Sequence, residues 1–227
     1  MNIDNILKEY IDKDYKKFHE KLCHTKYEIL GIKIPTLRKI SKELLTKYNY
    51  KDILDKLNYN FYEHVMLHGF IISNLKIDYK EKLALISNYL ELIDNWAICD
   101  IFVSELKFIQ KNQEEFLNFL LPLLNSNSEY HLRFTIVVLL NYYINDNYID
   151  FVLNTILNIK SDAYYVKMAI SWCYSICLIK YFDKTLKFLN NNQNKINKWT
   201  YNKALQKGIE SFRINKDNKK ILKNMKL

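Results

Sequence analysis

Residues 129–140 read Glu129-Tyr130-His131-Leu132-Arg133-Phe134-Thr135-Ile136-Val137-Val138-Leu139-Leu140, and their spacing decides the fold. From Arg133, apolar residues follow at +3, +4 and +7, as Ile136, Val137 and Leu140. Those offsets mark one face of a helix. The same offsets define a face after Trp96, with Cys99, Asp100 and Val103, and after Trp172, with Ser175, Ile176 and Ile179. Trp96, Arg133 and Trp172 lie 37 and 39 residues apart. Each interval matches one two-helix repeat, so the three side chains are expected at equivalent places in successive repeats, on one wall of a helical stack.

Composition agrees with helices throughout. Hydrophobic residues make up 49% of the 227, enough for a continuous core, while only three Gly and two Pro occur. Sandwiches, barrels and Gly-loop nucleotide folds need more turn punctuation than that. Short Asn- and Asp-containing breaks separate apolar segments of helical period. Helices are predicted near 2–21, 35–48, 50–57, 61–75, 78–92, 95–108, 113–125, 128–144, 147–158, 161–178, 182–190 and 196–212, with a short basic helix over 216–225. The expected fold is all-α: a HEAT-like or armadillo-type α-solenoid of antiparallel helix pairs with a concave basic groove. It forms a single repeat domain over 1–227, with a short basic C-terminal tail from about 214. An irregular helical bundle is the plain alternative.

The formal net charge is +9. A basic balance favours a polyanionic partner, nucleic acid first and an anionic membrane second; a general lysine bias is the neutral explanation. No run of about 18 apolar residues and no secretory h-region is found, so a soluble, intracellular protein is expected. Cys23, Cys99, Cys173 and Cys177 lack CxxC spacing and read as buried reduced thiols. His64 and His68 are four residues apart without the Glu of HExxH, so no metal is expected. Nor does the chain carry a Ser–His–Asp set, a P-loop or a dinucleotide fingerprint.

Lysine outnumbers arginine so heavily that the three arginines, Arg38, Arg133 and Arg213, stand out. A composition that takes Lys wherever a bare charge suffices keeps Arg where its planar fork of donors is needed. Arg38 follows Leu30-Gly31-Ile32-Lys33-Ile34-Pro35-Thr36-Leu37. Pro35 suits a first helical turn, and the positive helix end with Lys33, Arg38 and Lys39 could take a phosphate. An ordinary helix entry is the bland reading. In Asp94-Asn95-Trp96-Ala97-Ile98-Cys99-Asp100, Asp94 or Asn95 can cap a helix. Trp96 and Asp100 then share a face one turn apart. An indole beside a carboxylate is odd for a core but suits an arriving cation. The bland reading buries Trp96 and pairs Asp100 with Arg133. Arg133 could fork onto a phosphate or onto Asp100. Trp172, after Tyr164, Tyr165 and Lys167, reads as a second aromatic wall or as packing. Lys203, Lys207, Arg213 and the lysines beyond it suggest a backbone clamp or a solvated tail.

With these residues in place, the chain resembles the AlkD-like DNA alkylation repair family over about 15–214. The segments that carry the likeness are LGIKIPTLR at 30–38, NWAICD at 95–100, HLRFTIVVLL at 131–140, YYVKMAISW at 164–172 and NKALQKGIESFRI at 202–214. The resemblance implies a HEAT-like solenoid holding duplex DNA, and a monofunctional glycosylase that removes cationic N3- and N7-alkylated purines. It assigns catalytic roles to Trp96, Asp100, Arg133 and Trp172. Asp100 would stabilise the sugar cation, Arg133 would hold a phosphate and orient Asp100, and the indoles would flank the sugar. Arg38, Lys33, Lys39, Lys167, Lys203, Lys207 and Arg213 are the expected DNA contacts. The chain departs from the family near Leu22, where active members carry an aromatic residue. The expected partner is alkylated duplex DNA, with no cofactor, metal or membrane, for a cytoplasmic, nucleoid-associated monomer. A non-catalytic binder of damaged or branched DNA and a protein-binding repeat scaffold are the alternatives.

Overall fold

The computed structural model describes residues 2–227. Among them the chain is helical, with no strand and one isolated bridge between Glu28 and Phe61. The helices gather into two compact units, one ending at Lys107 and one spanning Phe108–Leu227.

The first unit holds α1 (Ile3–Lys8), α2 (Lys13–Leu22), α3 (Ile34–Lys47), α4 (Tyr50–Leu54), α5 (Tyr62–Asn74), α6 (Tyr79–Leu90) and α7 (Trp96–Glu105). Helix α5 is buried continuously from Tyr62 to Ile72, and α3, α6 and α7 all pack on it. A helix buried on all sides lies in the core, and the polar groups it carries need partners there. Gly69 makes the close approach possible: a Cβ there would meet the Tyr89 hydroxyl at 2.6 Å and the Phe102 ring at 3.1 Å.

Of the two charged side chains buried in this unit, Glu63 and Lys82, Glu63 is the deeper. Glu63 is 1% exposed, and its carboxylate accepts the N–H groups of Leu30 (2.8 Å), Gly31 (2.8 Å) and Ile32 (3.2 Å). Burial pushes its pKa up, and these backbone donors pull it back. Gly31 adopts φ +96°, the left-handed region that glycine enters without strain. Its carbonyl accepts the Asp12 N–H at 3.0 Å. The predicted helix 2–21 is therefore two helices. Asp12 leaves helical geometry and caps α2 by accepting from Asp14 (3.1 Å) and Tyr15 (2.9 Å).

The second unit holds α8 (Gln113–Leu120), α9 (Glu129–Tyr142), α10 (Ile149–Asn158), α11 (Tyr164–Lys180), α12 (Phe182–Asn192), α13 (Lys198–Glu210) and α14 (Lys216–Asn224). Short 3₁₀ turns cover Lys107–Lys111, which the sequence did not announce, and Leu121–Asn125. The predicted helix 113–125 gives way to the second turn where Pro122 removes a donor and crowds the preceding turn. Helix α11 packs most extensively on α9 and α13, and α10 and α12 also touch it. Contact between alternate helices is the pattern of a repeat stack, and the all-helical, solenoid-like expectation holds.

The periodicity needs a correction in register. Helices α7, α9, α11 and α13 begin at residues 96, 129, 164 and 198, steps of 33, 35 and 34. Trp96, Arg133 and Trp172 are thus the first, fifth and ninth residues of their helices, not equivalent positions. Each sits one turn further along its own helix, which is why their spacing exceeds the true repeat.

The basic tail is docked. Leu222 of α14 is fully buried, and a Cβ at Gly208 would come within 2.9 Å of it. Burying one Leu contributes about 1.5–3 kcal/mol. The Leu227 N–H and carbonyl both pair with the Asn202 amide at 3.0 Å.

Candidate functional site

The start of α7 is built from its cap. The Asn95 side chain accepts from Ala97 (2.9 Å) and Ile98 (3.1 Å), and donates to Asp94 (2.8 Å). Asp94 in turn accepts the Thr25 hydroxyl (2.8 Å) and the Lys26 N–H (2.6 Å). Thr25–Asp94–Asn95 thus pins the helix start to the loop after α2. Ala97, Ile98, Cys99, Phe102 and Val103 turn inward and are buried. Trp96 and Asp100 are half-buried, one turn apart on the remaining face. An indole and a carboxylate so placed offer a quadrupole and a full negative charge to one cation.

In the same unit, Arg38 Nε donates to Glu105 Oε1 at 2.7 Å, and its guanidinium lies 5.5 Å from the Phe70 ring centroid. Lys33 stands at the N-cap position of α3 without a side-chain cap bond and pairs with Asp12 at 3.0 Å, and Lys39 lies 3.7 Å from Glu43. The three expected phosphate ligands of this segment all have carboxylate partners within the protein. The amides of residues 30–32 point at Glu63. That helix entry is held by bonds within the protein.

In the second unit, Arg133 is 5% exposed, and its Nη1 donates to the Tyr165 carbonyl oxygen at 2.8 Å. Its guanidinium lies 5.9 Å from the Tyr165 ring centroid. The Tyr165 N–H donates to Glu129 Oε1 at 2.7 Å, which fixes the start of α11 against α9. Ser171 ties α11 to α13 by donating to the Thr200 carbonyl at 3.0 Å. Trp172 is half-buried on α11.

Helix α13 supplies cations at helical spacing, Lys203 and Lys207. Burial lowers the Lys207 pKa, and the charges of Lys203 and Arg133 lower it further against the pull of Glu210. A cation opposed by burial and by neighbouring cations gains when an anion arrives. Among the described residues no carboxylate pairs within 4 Å with Lys167, Lys203, Lys207 or Arg213, and Arg213 is exposed beyond the end of α13.

A family model described as DNA alkylation repair enzyme matches residues 3–207. The chain belongs to the DNA alkylation repair enzyme family. No curated protein matches it. Membership in the DNA alkylation repair family gives the chain a repair role on DNA and marks it as an enzyme. Among the described residues of this family member, no helix is long and apolar enough to cross a membrane, and no group of three or more His, Cys, Asp or Glu could hold a metal ion. All four cysteines are buried free thiols. His64 sits 3.0 Å from Asp4 and accepts the Asn58 N–H at 3.1 Å, while His68 faces Tyr59 at 3.1 Å.

Tyr165, Glu129 and Trp199 had no role in the reading of the sequence, although Glu129 and Tyr165 join α9 to α11 and Trp199 lies beside Lys167. Trp199 left a signal: it stands four residues before Lys203 and eight before Lys207, on one helical stripe.

Proposed function

We propose that the protein is a monofunctional DNA glycosylase that hydrolyses the N-glycosidic bond of cationic N3- or N7-alkylated purines in duplex DNA. The observation that carries the reading is the half-buried Trp96–Asp100 pair on one face of α7, in a chain of the DNA alkylation repair family. Residues 1–227 act as one repeat domain, in the cytoplasm and on the nucleoid, as a monomer.

The lesion's own charge does part of the work. As the bond from C1′ to the purine nitrogen breaks, the base takes both electrons and leaves neutral, and positive charge moves to the sugar. Asp100 stabilises that charge and orients a water for attack at C1′. The water bonds to C1′ and gives up one proton, leaving an abasic site and free base. A fixed carboxylate where positive charge develops is a large source of rate, by the logic glycoside hydrolases use. Trp96 and Trp172 present indole faces to the cationic sugar. Arg133 supplies positive charge for the lesion's phosphate.

Phosphate contacts come from Lys167, Lys203, Lys207 and Arg213, whose charges lack carboxylate partners among the described residues. Arg38, Lys33 and Lys39 contribute more weakly, because each already holds a carboxylate. Incubating purified protein with methylated duplex and assaying free base tests the proposal; no free base above the uncatalysed rate contradicts it.

A non-catalytic DNA binder is the second reading. Leu22 favours it: an aliphatic residue, 48% exposed, stands where the resemblance expects an aromatic lesion contact, though Phe18 on the same helix is 60% exposed. Tight duplex binding without base release would select it.

A further inference from the structure

Four aromatic rings line up along the first turns of three helices in the second unit. Tyr130 is the second residue of α9, Tyr164 and Tyr165 open α11, and Trp199 is the second residue of α13. Neighbouring ring centroids lie 6.1 Å apart for Tyr130–Tyr165, 5.2 Å for Tyr164–Tyr165 and 5.8 Å for Tyr164–Trp199. The row is open to solvent at Tyr164, 56% exposed, and at Trp199, 39% exposed. The Lys167 ammonium sits 5.7 Å from the Trp199 centroid. Single exposed aromatics are ordinary, but a contiguous row interleaved with cations is not.

Helical spacing relates this row to the cations. Tyr165 lies seven residues before Trp172, two turns along one stripe of α11. Tyr130 precedes Arg133 by three, and Trp199 precedes Lys203 and Lys207 by four and eight. On each helix the aromatic stands in the first turn, and the residues assigned to DNA follow one to two turns later along the helix.

We infer that this aromatic ledge is a stacking platform for unpaired nucleobases, so that the protein engages single-stranded DNA, or an unpaired stretch beside a duplex. The inference rests on DNA as the partner. A paired, stacked duplex keeps the flat faces of its bases covered. Only unpaired bases offer a π-face to a tyrosine or indole, and that contact tolerates any sequence. Lys167 and Lys203 neutralise the phosphates of the same strand. Glu129 also lies at the ledge, and its carboxylate is engaged by the Tyr165 N–H.

The test measures binding of the full chain to a short labelled oligothymidylate and to a blunt duplex across a salt series. The double variant Tyr164→Ala/Trp199→Ala is expected to lose oligothymidylate affinity by about tenfold or more. Its duplex affinity stays within about twofold. The slope of log affinity against log salt stays that of the parent, because every phosphate-neutralising cation is still in place. Tyr164→Phe/Trp199→Phe keeps most of the affinity, which separates stacking from a folding defect. Unchanged oligothymidylate binding overturns the inference. So does an equal loss for both DNAs, or a Phe variant as weak as the Ala variant. Base release from methylated duplex is assayed alongside: if it persists while the oligothymidylate result fails, only the ledge is wrong. Absent release with the expected oligothymidylate loss removes the glycosylase reading and leaves the ledge.

Discussion

Arg133 Nη1 donates to the main-chain carbonyl oxygen of Tyr165 at 2.8 Å, with the guanidinium 5.9 Å from the same residue's ring centroid. The fork that this lysine-rich chain retained is thus used in part to join α9 to α11. Arg133→Lys keeps the charge but replaces the planar fork with a compact ammonium. It is expected to cost about 1–3 kcal/mol, the penalty for disrupting a buried charged hydrogen bond. Because the variant keeps the positive charge, the salt dependence of duplex binding should change little. Urea unfolding and a salt titration check both. Unaltered stability would remove the interhelix role.

Lys203 and Lys207 behave oppositely. Both are half-buried on α13, and Lys207 already feels Lys203 and Arg133 as repulsive neighbours. Lys203→Ala/Lys207→Ala should weaken all duplexes alike and lower the salt slope by about 1 for each phosphate that is no longer neutralised. A weakening confined to damaged duplexes, with the slope intact, would contradict the clamp.

Protein stability should fall in mild acid. Burial holds the His68 imidazole down at about 4, and burial also lowers His19 and His64, with Asp4 opposing it at His64. The unfolded chain takes up these protons near an ordinary histidine pKa of about 6.5. Between those values the unfolded state binds more protons than the folded one, so stability drops as pH falls from about 6.5 towards 4. Linkage puts the His68 share at about 2–3 kcal/mol between pH ~7 and ~4.5. His68→Gln should flatten that part of the curve in urea unfolding at the two pH values. An identical drop in the variant would exonerate His68.

Much of the fold was legible in the chain. The apolar offsets after Trp96, Arg133 and Trp172 identified α7, α9 and α11, because a helix must bury one face and its period is visible locally. Asn95 was readable as a cap for the same local reason. Glu63 was not: a carboxylate that satisfies three amides about 30 residues earlier leaves no mark in the sequence around it. The break before α2 escaped for a related reason, since the Asp12 N–H is held by the carbonyl of Gly31. The partners of Arg38, Lys33 and Lys39 are likewise fixed by packing, and spacing gave no hint that Glu105 would meet Arg38. The tail from 214 read as basic, but Leu222 finding its seat over Gly208 is a tertiary event.

Asp100→Asn probes the proposed chemistry most directly, because it keeps the shape of the side chain and removes its charge. The variant and the parent are incubated with methylated duplex, and released 7-methylguanine is quantified with duplex affinity measured in parallel. The parent should liberate the base, and the variant should do so slower by about 100-fold or more, with affinity within about twofold. Equal release by both, or none from the parent, would contradict a catalytic Asp100.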